Sequence, residues 1–441
     1  MKKLIAIASI LFSLGVNAQY ETTLPLMTGI FQSTYRNLAN DPTSRVSIGL
    51  PLVSGYHFNF YHSGFKLKDI YYRSGDTAVI TPDKLAAKLP KRNILDINNH
   101  VDLFHLQINT GKFSFGLNAI EKINIRMMYP GDLFRFVLKG NAQFAGAEAD
   151  FGGLGLNLLH YREIGLSGRM NIDKLVVGAR FKFLMGLNSV DFEKSELKLK
   201  IEEQMYGHTI NADIKVNTNV DALNLSQVAD PLAFAKSNLL NMKNRGFGLD
   251  LSAAYNITDK LRVGANVIDL GRITWKDNVT NYVINNKSFS FNGIAFEDYL
   301  IKDSLSVEMY TDTLLKLFKP ETLHQTYTTT LPVQANIYAV FKLNPRHTFT
   351  FLVNGDYYKK RLLNSYSLGY QLALGRTINL ALSYSIKGRS FVNAGAGLVF
   401  KLGPVQTYIV TDSFNAIFNP LANRSVNVRM GANLVFGKIK S

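Results

Sequence analysis

Residues 425–436, SVNVRMGANLVF, decide the fold class of this chain. Apolar side chains occupy alternate positions from 426 to 436, while Asn427, Arg429, Gly431 and Asn433 between them are polar or small. Side chains of a β-strand point alternately to its two faces. The stretch therefore predicts a strand with one apolar face and one polar face.

The same alternation recurs along the chain, with apolar residues at every second position in 175–187, 331–343, 366–374 and 378–386. These segments run for roughly ten to sixteen residues, whereas strands of soluble sheets usually have about five or six. A tilted membrane-spanning strand needs about nine to eleven residues. A soluble β-sandwich also alternates, so the pattern alone leaves both architectures open.

The connections between the segments separate the two architectures. Tight turns at 110–111, 172–174, 257–259, 344–346, 376 and 403 alternate with long connections at 61–99, 128–147, 191–245, 276–326, 357–363 and 413–424, plus a brief one at 388–389. Bacterial outer-membrane barrels have short periplasmic turns, long external loops and an even number of strands. The sequence therefore predicts an all-β fold, a single transmembrane antiparallel β-barrel with long extracellular loops. Its fourteen or so predicted strands are residues 45–60, 100–109, 112–127, 148–169, 175–190, 246–256, 260–275, 327–343, 348–356, 364–375, 377–387, 390–402, 404–412 and 425–437.

The N-terminus has the features of a secretory signal peptide. Lys2 and Lys3 precede an apolar run over 4–16, and Val16-Asn17-Ala18 is a small-x-small cleavage pattern. The run is shorter than the roughly twenty residues that a membrane-spanning helix needs. We expect a signal peptide at 1–18, a plug-like N-terminal segment at 19–43 and an outer-membrane barrel at 44–441.

The segment before the first strand could fill the lumen or hang in the periplasm. The sequence leaves both open, and its candidate plug residues are Thr28, Phe31, Tyr35, Asn40 and Pro42. If the apolar faces of the strands contact lipid, the polar faces point into the lumen. Those side chains would line a passage or pair with luminal acids and fill the interior without a ligand. The candidate lumen-facing residues are Arg180, Lys182, Arg262, Asn336, Lys342, Asn427, Arg429 and Asn433.

Recognisable catalytic patterns are missing from the sequence. The chain has no cysteine, which excludes disulfides, thiolate metal sites and a cysteine nucleophile. Its eight histidines lack metal-site spacing, no G-x-S-x-G occurs, and the glycines at 152–155 do not complete a dinucleotide fingerprint. We predict no catalytic residue, metal ligand or cofactor, and a protein that is not an enzyme.

The formal net charge of +16 raises the question of a nucleic-acid partner. The basic residues are scattered singly through the predicted strands, and no basic tract or nucleic-acid motif occurs. Anionic lipopolysaccharide outside the cell, or a basic polar lumen, explains the charge equally well. Nucleic acid is therefore not an expected partner.

Three places in the sequence carry a resemblance to a known family. They are 40–43 (NDPT) followed by 46–51 (VSIGLP); 402–404 (LGP) leading into 407–412 (TYIVTD) and 418–420 (FNP); and 428–437 (VRMGANLVFG). The chain resembles Bacteroidota outer-membrane barrels related to the fourteen-stranded FadL-like fatty-acid transporters and to PorV of the type IX secretion system. It departs from them at Asp41, because relatives often have Asn-Pro-Ala there.

The resemblance implies a barrel with a luminal N-terminal segment. In the transporter branch it implies lateral release of apolar substrates through the wall. We expect binding or passive transport of a hydrophobic small molecule, captured among residues 191–245 and 276–326 and gated by residues 20–43. The alternative is a barrel that binds protein partners in secretion or envelope assembly, as in the PorV branch. Outer-membrane lipid and lipopolysaccharide are expected partners in either case.

Overall fold

The computed structural model describes residues 21–66, 68, 71–74, 77–80, 82–204, 207–220, 242–291, 319–358, 361–375, 377–387 and 390–439. The predicted signal peptide lies outside the described residues, as do parts of the two predicted capture loops.

The described residues form a closed antiparallel barrel of fourteen strands, which confirms the predicted fold. The strands are β1 (Ser44–Gly49 and Tyr56–His62), β2 (Arg92–Asn109), β3 (Phe113–Pro130), β4 (Gly155–Ile172), β5 (Leu175–Ile201), β6 (Asn244–Asn256), β7 (Leu261–Trp275), β8 (Tyr327–Thr330 and Val333–Lys342), β9 (His347–Tyr358), β10 (Arg361–Leu374), β11 (Ile378–Lys387), β12 (Ser390–Leu402), β13 (Val405–Thr411) and β14 (Ser425–Lys438).

The barrel closes between its first and last strands. β1 pairs with β14 through Val46↔Phe436 at one end and Phe60↔Val426 at the other, and it pairs with β2 on its opposite side. The tight turns lie together at one end, and the long connections leave from the other. The polar and apolar faces of each strand consequently become the inside and outside of one cylinder.

The outer surface of the barrel is apolar. Phe115, Leu166 and Leu368 on three different strands each expose more than half of the side chain, at 59%, 64% and 58%. The interior instead contains buried polar groups such as Arg180 and Asn433. This arrangement is that of a barrel that faces lipid outside and water or polar groups inside. Among the helices of the described residues, none is long and apolar enough to cross a membrane.

The strands extend further at the loop end than the sequence predicts. β2 begins at Arg92 rather than near 100, and β5 continues to Ile201. The end of β5 pairs with a strand at His208–Thr218, which in turn pairs with one at Thr280–Phe291. Short strands at Glu148–Asp150 and Glu321–Leu323 complete this sheet, which we call the extracellular sheet after the predicted orientation of the long loops.

In the described parts of the long connections there are three short helices. α1 (Pro82–Lys88) and α2 (Gly131–Lys139) pack together around Leu85, Leu89 and Phe134. α3 (Phe414–Phe418) joins β13 to β14. Further local structure consists of a hairpin at Tyr71–Ser74 and Thr77–Ile80, and 3-10 turns at Leu24–Leu26, Phe31–Tyr35, Ala142–Phe144 and Pro420–Ala422.

Three of the predicted strands are wrong in detail, because each is interrupted. Predicted strand 327–343 is broken at residues 331–332. Predicted strand 148–169 divides into Glu148–Asp150 and β4, separated by Gly153 with a φ of +77°. Predicted strand 45–60 is broken at residues 50–55, where Leu52 has a φ of +64°. A glycine at 431 of β14 accommodates this break, since an added Cβ there would collide with the Ser54 carbonyl oxygen.

Candidate functional site

Residues 21–43, which we call the luminal segment, lie inside the barrel. They form two 3-10 turns, Leu24–Leu26 and Phe31–Tyr35, the first of which carries Pro25 at its start. Leu24, Met27 and Ile30 are fully or almost fully buried, and they pack against side chains of β11, β12 and β13. The interior of the cylinder is therefore occupied by the chain that precedes it.

Glycines on the inner wall make room for the luminal segment. A Cβ added at Gly178 would lie 2.8 Å from the Leu38 Cβ. One added at Gly369 would collide with Leu26, and one at Gly397 with Met27. The segment and the wall thus fit together closely at three positions on different strands.

Asp412, just beyond β13, binds the start of the luminal segment. Its carboxylate accepts hydrogen bonds from the backbone amides of Thr22 and Thr23, at 3.0 and 2.8 Å. It also accepts hydrogen bonds from both threonine hydroxyls, at 3.2 and 2.5 Å. Asn427 Nδ2 donates to the same carboxylate at 3.1 Å, and Lys387 Nζ lies 3.6 Å from it. One buried carboxylate therefore fixes two consecutive residues of the segment.

Glu21 is the other charged anchor at this end. It forms ion pairs with Arg36 of the luminal segment, at 2.8 Å, and with Arg429 of β14. His57 Nδ1 of β1 lies 3.3 Å from the same carboxylate. Burial alone would raise the pKa of the Glu21 carboxyl, but Arg429, together with His57 and Arg36, holds that pKa well below its usual range. Glu21 is consequently ionised at neutral pH.

The middle of the luminal segment contacts the break in β1. Gln32 Nε2 donates to the Ser54 carbonyl oxygen at 2.8 Å, and Gln32 exchanges hydrogen bonds with Asn433 of β14 at 2.9 and 3.0 Å. Phe31 stacks on His105 of β2, with ring centroids 4.0 Å apart. The interrupted part of the wall is thus held from inside by the segment.

The end of the luminal segment is fixed near the tight turns. Asp41 forms ion pairs with Arg169 of β4 at 2.6 Å and with Arg262 of β7 at 2.9 Å. Arg180 of β5 donates to the Thr34 carbonyl oxygen at 3.2 Å and to its hydroxyl at 3.0 Å. The segment is therefore bound to the wall at its start, middle and end, mainly through polar groups.

The candidate plug residues all lie in this segment, in different surroundings. Thr28 donates to Gln371 Oε1 at 3.2 Å, and Tyr35 donates to Asp102 at 3.2 Å. Asn40 donates to the Pro25 carbonyl oxygen at 3.2 Å, which ties the two ends of the segment together. Pro42 is half-buried.

The candidate lumen-facing residues fall into three groups. Four of them contact the luminal segment: Arg180, Arg262, Arg429 and Asn433. Lys342 instead exposes 52% of its side chain at the rim, with Nζ 3.9 Å from Asp41. The remaining three are buried against other wall residues: Lys182 against Asp250 and Asp269, Asn336 against Asn266, and Asn427 against Asp412.

Sequence reasoning did not select Glu21, Gln32, Asp41 or Asp412 as site residues. Two of these acids nevertheless lie within the motifs that carried the resemblance, Asp41 in 40–43 and Asp412 in 407–412. The third motif, 428–437, supplies Arg429 and Asn433. All three motifs thus converge on the luminal segment in the structure. The signal available in the sequence was only that these residues lie within the motifs.

A polar cavity of about 90 Å³, which we call the vestibule, lies on the loop side of the luminal segment. Glu21, Tyr35 and Arg36 of the segment contribute to its lining, and most of its other lining side chains are charged or polar. Many of the charges are paired across strands, as in Asp96–Arg126 at 2.6 Å and Lys122–Glu163 at 2.7 Å. The vestibule could hold a small polar solute.

Two further features concern possible binding sites among the described residues. A larger hollow of about 650 Å³ lies on the outer face of the barrel, where apolar side chains such as Phe115 and Leu251 line it. Within the described ranges, no group of three or more His, Asp or Glu side chains is placed to share a metal ion.

Comparison with known proteins gives one family and a set of distant barrels. A family model described as "Family of unknown function (DUF5723)" matches residues 39–412. No curated protein matches the sequence.

Solved structures similar to this chain include a channel, a transporter and a FadL homologue. A deletion mutant of TodX, a monoaromatic hydrocarbon channel whose wild type comes from Pseudomonas putida, is 10% identical, with a TM-score of 0.42 and coverage of 97% of this chain and 96% of that one. The toluene transporter TbuX of Ralstonia pickettii is 9% identical, with a TM-score of 0.41 and coverages of 95% and 94%. A FadL homologue of Pseudomonas aeruginosa is 11% identical, with a TM-score of 0.39 and coverages of 96% and 100%. These values are too low for any of their substrates to be transferred to this chain.

Proposed function

We propose a function for this chain, which belongs to the DUF5723 family, a family of unknown function. The protein is a bacterial outer-membrane barrel, and its luminal segment closes and opens a passage for small solutes. The apolar outer surface of the barrel and the signal-peptide pattern of the N-terminus support the outer-membrane location.

The observation that carries the proposal is the way in which the luminal segment is bound. It occupies the lumen, yet polar contacts hold it to the wall: Thr23 donates to Asp412 at its start, Gln32 donates to the Ser54 carbonyl oxygen in its middle, and Asp41 pairs with Arg262 at its end. Each such hydrogen bond contributes only about 0.5–1.5 kcal/mol net, or about 1.5–3 kcal/mol where one partner is charged, because water can replace the partner. A polar lumen supplies that water, so the segment can detach from the wall as a unit while the strand pairing of the barrel stays intact.

The lining of the vestibule favours a polar solute over an apolar one. An apolar ligand gains stability by burying its surface against apolar side chains. In the described part of the lumen the vestibule offers mainly charged and amide groups instead. A small hydrophilic solute can exchange its water for those groups, and we therefore propose polar solutes for the central route.

The break in β1 supports a second candidate, the release of an apolar molecule through the wall. Leu52 and Val53 expose 71% and 55% of their side chains there. The Ser54 carbonyl oxygen, behind them, accepts hydrogen bonds from Gln32 and from Tyr408. Movement of the luminal segment would remove the Gln32 bond and loosen the wall at this point. In this second candidate the ligand is a hydrophobic small molecule, as the sequence predicts.

Osmotic swelling of liposomes that contain the purified full-length chain tests the proposal. Gln32→Ala should speed the entry of small neutral sugars, since it frees the middle of the segment from both Ser54 and Asn433. Thr209→Ala, in the extracellular sheet, is the control and should swell like the wild type. Swelling of the Gln32→Ala liposomes at the wild-type rate would contradict gating of a central route for polar solutes by the segment.

The same variant separates the second candidate from the first. If the wall is the route, Gln32→Ala should increase transfer of a fluorescent fatty acid into the liposome membrane while sugar entry stays unchanged.

A role in secretion or envelope assembly is a third proposal, supported by the extracellular sheet formed by β5, His208–Thr218 and Thr280–Phe291. It predicts a stoichiometric protein partner on purification in mild detergent. Purification of the chain alone, with intact solute passage, would count against it.

A further inference from the structure

The inner wall at β9 and β10 contains neighbouring polar side chains that lack partners. Asp356, Asn354 and Ser365 expose 0%, 3% and 1% of their surface. Within the described residues, both carboxylate oxygens of Asp356, the Asn354 Nδ2 and the Ser365 Oγ have no hydrogen-bond partner. Asn354 and Asp356 are two residues apart on β9, and Ser365 is the direct cross-strand neighbour of Asn354. The unpartnered atoms therefore belong to one small patch.

Asp356 differs from the other carboxylates that line the vestibule. Glu21 lies 2.8 Å from Arg36, and Asp96 lies 2.6 Å from Arg126. Glu163 lies 2.7 Å from Lys122, and Asp269 lies 2.6 Å from Lys182. Asp356 is the vestibule carboxylate without a cationic side chain beside it in the described part of the chain.

A buried carboxylate without a partner requires an explanation. The transfer of a charge from water into a protein interior is strongly unfavourable unless an opposite charge compensates it. Ionisable side chains within membrane spans pair with one another or with backbone carbonyls, and they mark substrate and ion pathways. Asp356 also lies next to the vestibule, where its direct cross-strand neighbour Gln334 is part of the lining. A solute in the vestibule is therefore adjacent to this carboxylate.

We propose that Asp356, Asn354 and Ser365 form a binding site for a small solute with a primary ammonium group. The Asp356 carboxylate is the counter-ion, and the Ser365 hydroxyl accepts a second hydrogen bond from the ammonium. Asn354 Nδ2 donates to an oxygen elsewhere on the solute, so the site favours an amine that also carries a hydrogen-bond acceptor. The inference rests on the proposed function, since it names the class of solute that enters the vestibule.

Titration calorimetry with the purified full-length chain in detergent tests the site. Ethanolamine, protonated at neutral pH, is the probe, and acetamide and acetate are the neutral and anionic comparisons. The wild type should bind ethanolamine and neither comparison compound. Asp356→Asn should weaken the binding at least about thirtyfold, the usual loss when one partner of a buried charge pair is removed. Asp259→Asn, in an exposed turn, is the matched control and should bind like the wild type.

Two more variants guard against misfolding of Asp356→Asn. Ser365→Ala should reduce affinity by a smaller factor, and Asp356→Glu should recover part of it because the charge is kept. Equal ethanolamine binding by wild type and Asp356→Asn would overturn the inference, as would displacement of ethanolamine by equimolar sodium. Absence of ethanolamine binding, together with the expected swelling of Gln32→Ala liposomes, would overturn this site alone. Unchanged swelling of Gln32→Ala would instead reject the gate on which the inference rests.

Discussion

Asp412 is the residue on which the start of the luminal segment depends most. Its carboxylate accepts four hydrogen bonds from Thr22 and Thr23, and these bonds are buried. An amide in its place keeps a single acceptor oxygen and carries no charge. Asp412→Asn should therefore weaken the docking of the segment by about 1–3 kcal/mol and accelerate liposome swelling.

The control for this variant is Asp259→Asn, which changes the same chemical group in an exposed turn. Swelling of the two variants at the same rate would show that the hydrogen bonds of Asp412 do not hold the segment.

Glu21 makes the binding of the luminal segment to the wall dependent on pH. Its pKa is lower in the folded protein than in the unfolded chain, because Arg429 outweighs the effect of burial. Its stabilising contribution is therefore present above the unfolded pKa and is lost as the pH falls through the folded pKa. Liposome swelling should stay constant from about pH 7 to about pH 5, above the ordinary range of a glutamate, and should rise only in stronger acid.

Glu21→Gln removes this dependence, and its swelling should be raised equally from neutral pH down into the stronger acid in which the wild type responds. An increase in wild-type swelling between neutral pH and pH 5 would assign the control to another group, since Glu21 remains ionised there.

Alternation along a strand determines the face of every side chain, and on that basis the sequence assigns Arg180 and Arg429 to the lumen. It could not predict their partners. Thr34 and Glu21 belong to a segment without periodicity, and their positions depend on how that segment folds inside the closed barrel. The side chain of Lys342 lies at the rim, where the inner face meets solvent, and periodicity does not distinguish this position from the lumen.

At the scale of elements, the luminal segment depends on wall glycines at positions where any side chain would displace it. Gly178 and Gly168 provide a matched pair, since they occupy neighbouring strands and only the first faces the segment. A Cβ at Gly178 would lie 2.8 Å from the Leu38 Cβ, whereas one at Gly168 would meet nothing within 4 Å. Gly178→Ala should therefore loosen the segment, and Gly168→Ala should not.

The looser segment can be measured by thiol labelling, because the chain contains no cysteine of its own. A Ser33→Cys reporter is almost fully buried in the segment, and a maleimide should label it faster in Gly178→Ala than in Gly168→Ala. Equal labelling rates would mean that the wall does not constrain the segment there.

The fourteen strands could be predicted because both period-two alternation and turn length are local signals. The break at residues 50–55 was missed, although Pro51 between Gly49 and Gly55 marks a place where a strand is weakened. The extracellular sheet was missed as a sheet because its strands pair across long connections. The register of His208–Thr218 with Thr280–Phe291 depends on contacts that no local pattern specifies.

The whole molecule combines an apolar outer surface, a charged interior and an inserted segment that joins strands from all sides of the barrel. β4, β5 and β7 bind one end of the segment, and β14 with the end of β13 binds the other. Because these contacts span the lumen, opening the passage requires the segment to move as a unit relative to the barrel. Locking the segment to the wall should then stop passage without altering the barrel itself.

A reversible disulfide between the luminal segment and the wall tests this claim most directly. Thr22 Oγ1 and Ser385 Oγ lie 2.9 Å apart, so Thr22→Cys/Ser385→Cys should cross-link the segment to β11 on oxidation. Thr209→Cys/Ser290→Cys is the control, since its hydroxyls lie 3.0 Å apart in the extracellular sheet. Oxidation should abolish liposome swelling by small solutes in the first pair only, and reduction should restore it. Swelling of the oxidised Thr22→Cys/Ser385→Cys protein at the rate of its reduced form would contradict opening of the passage by movement of the luminal segment.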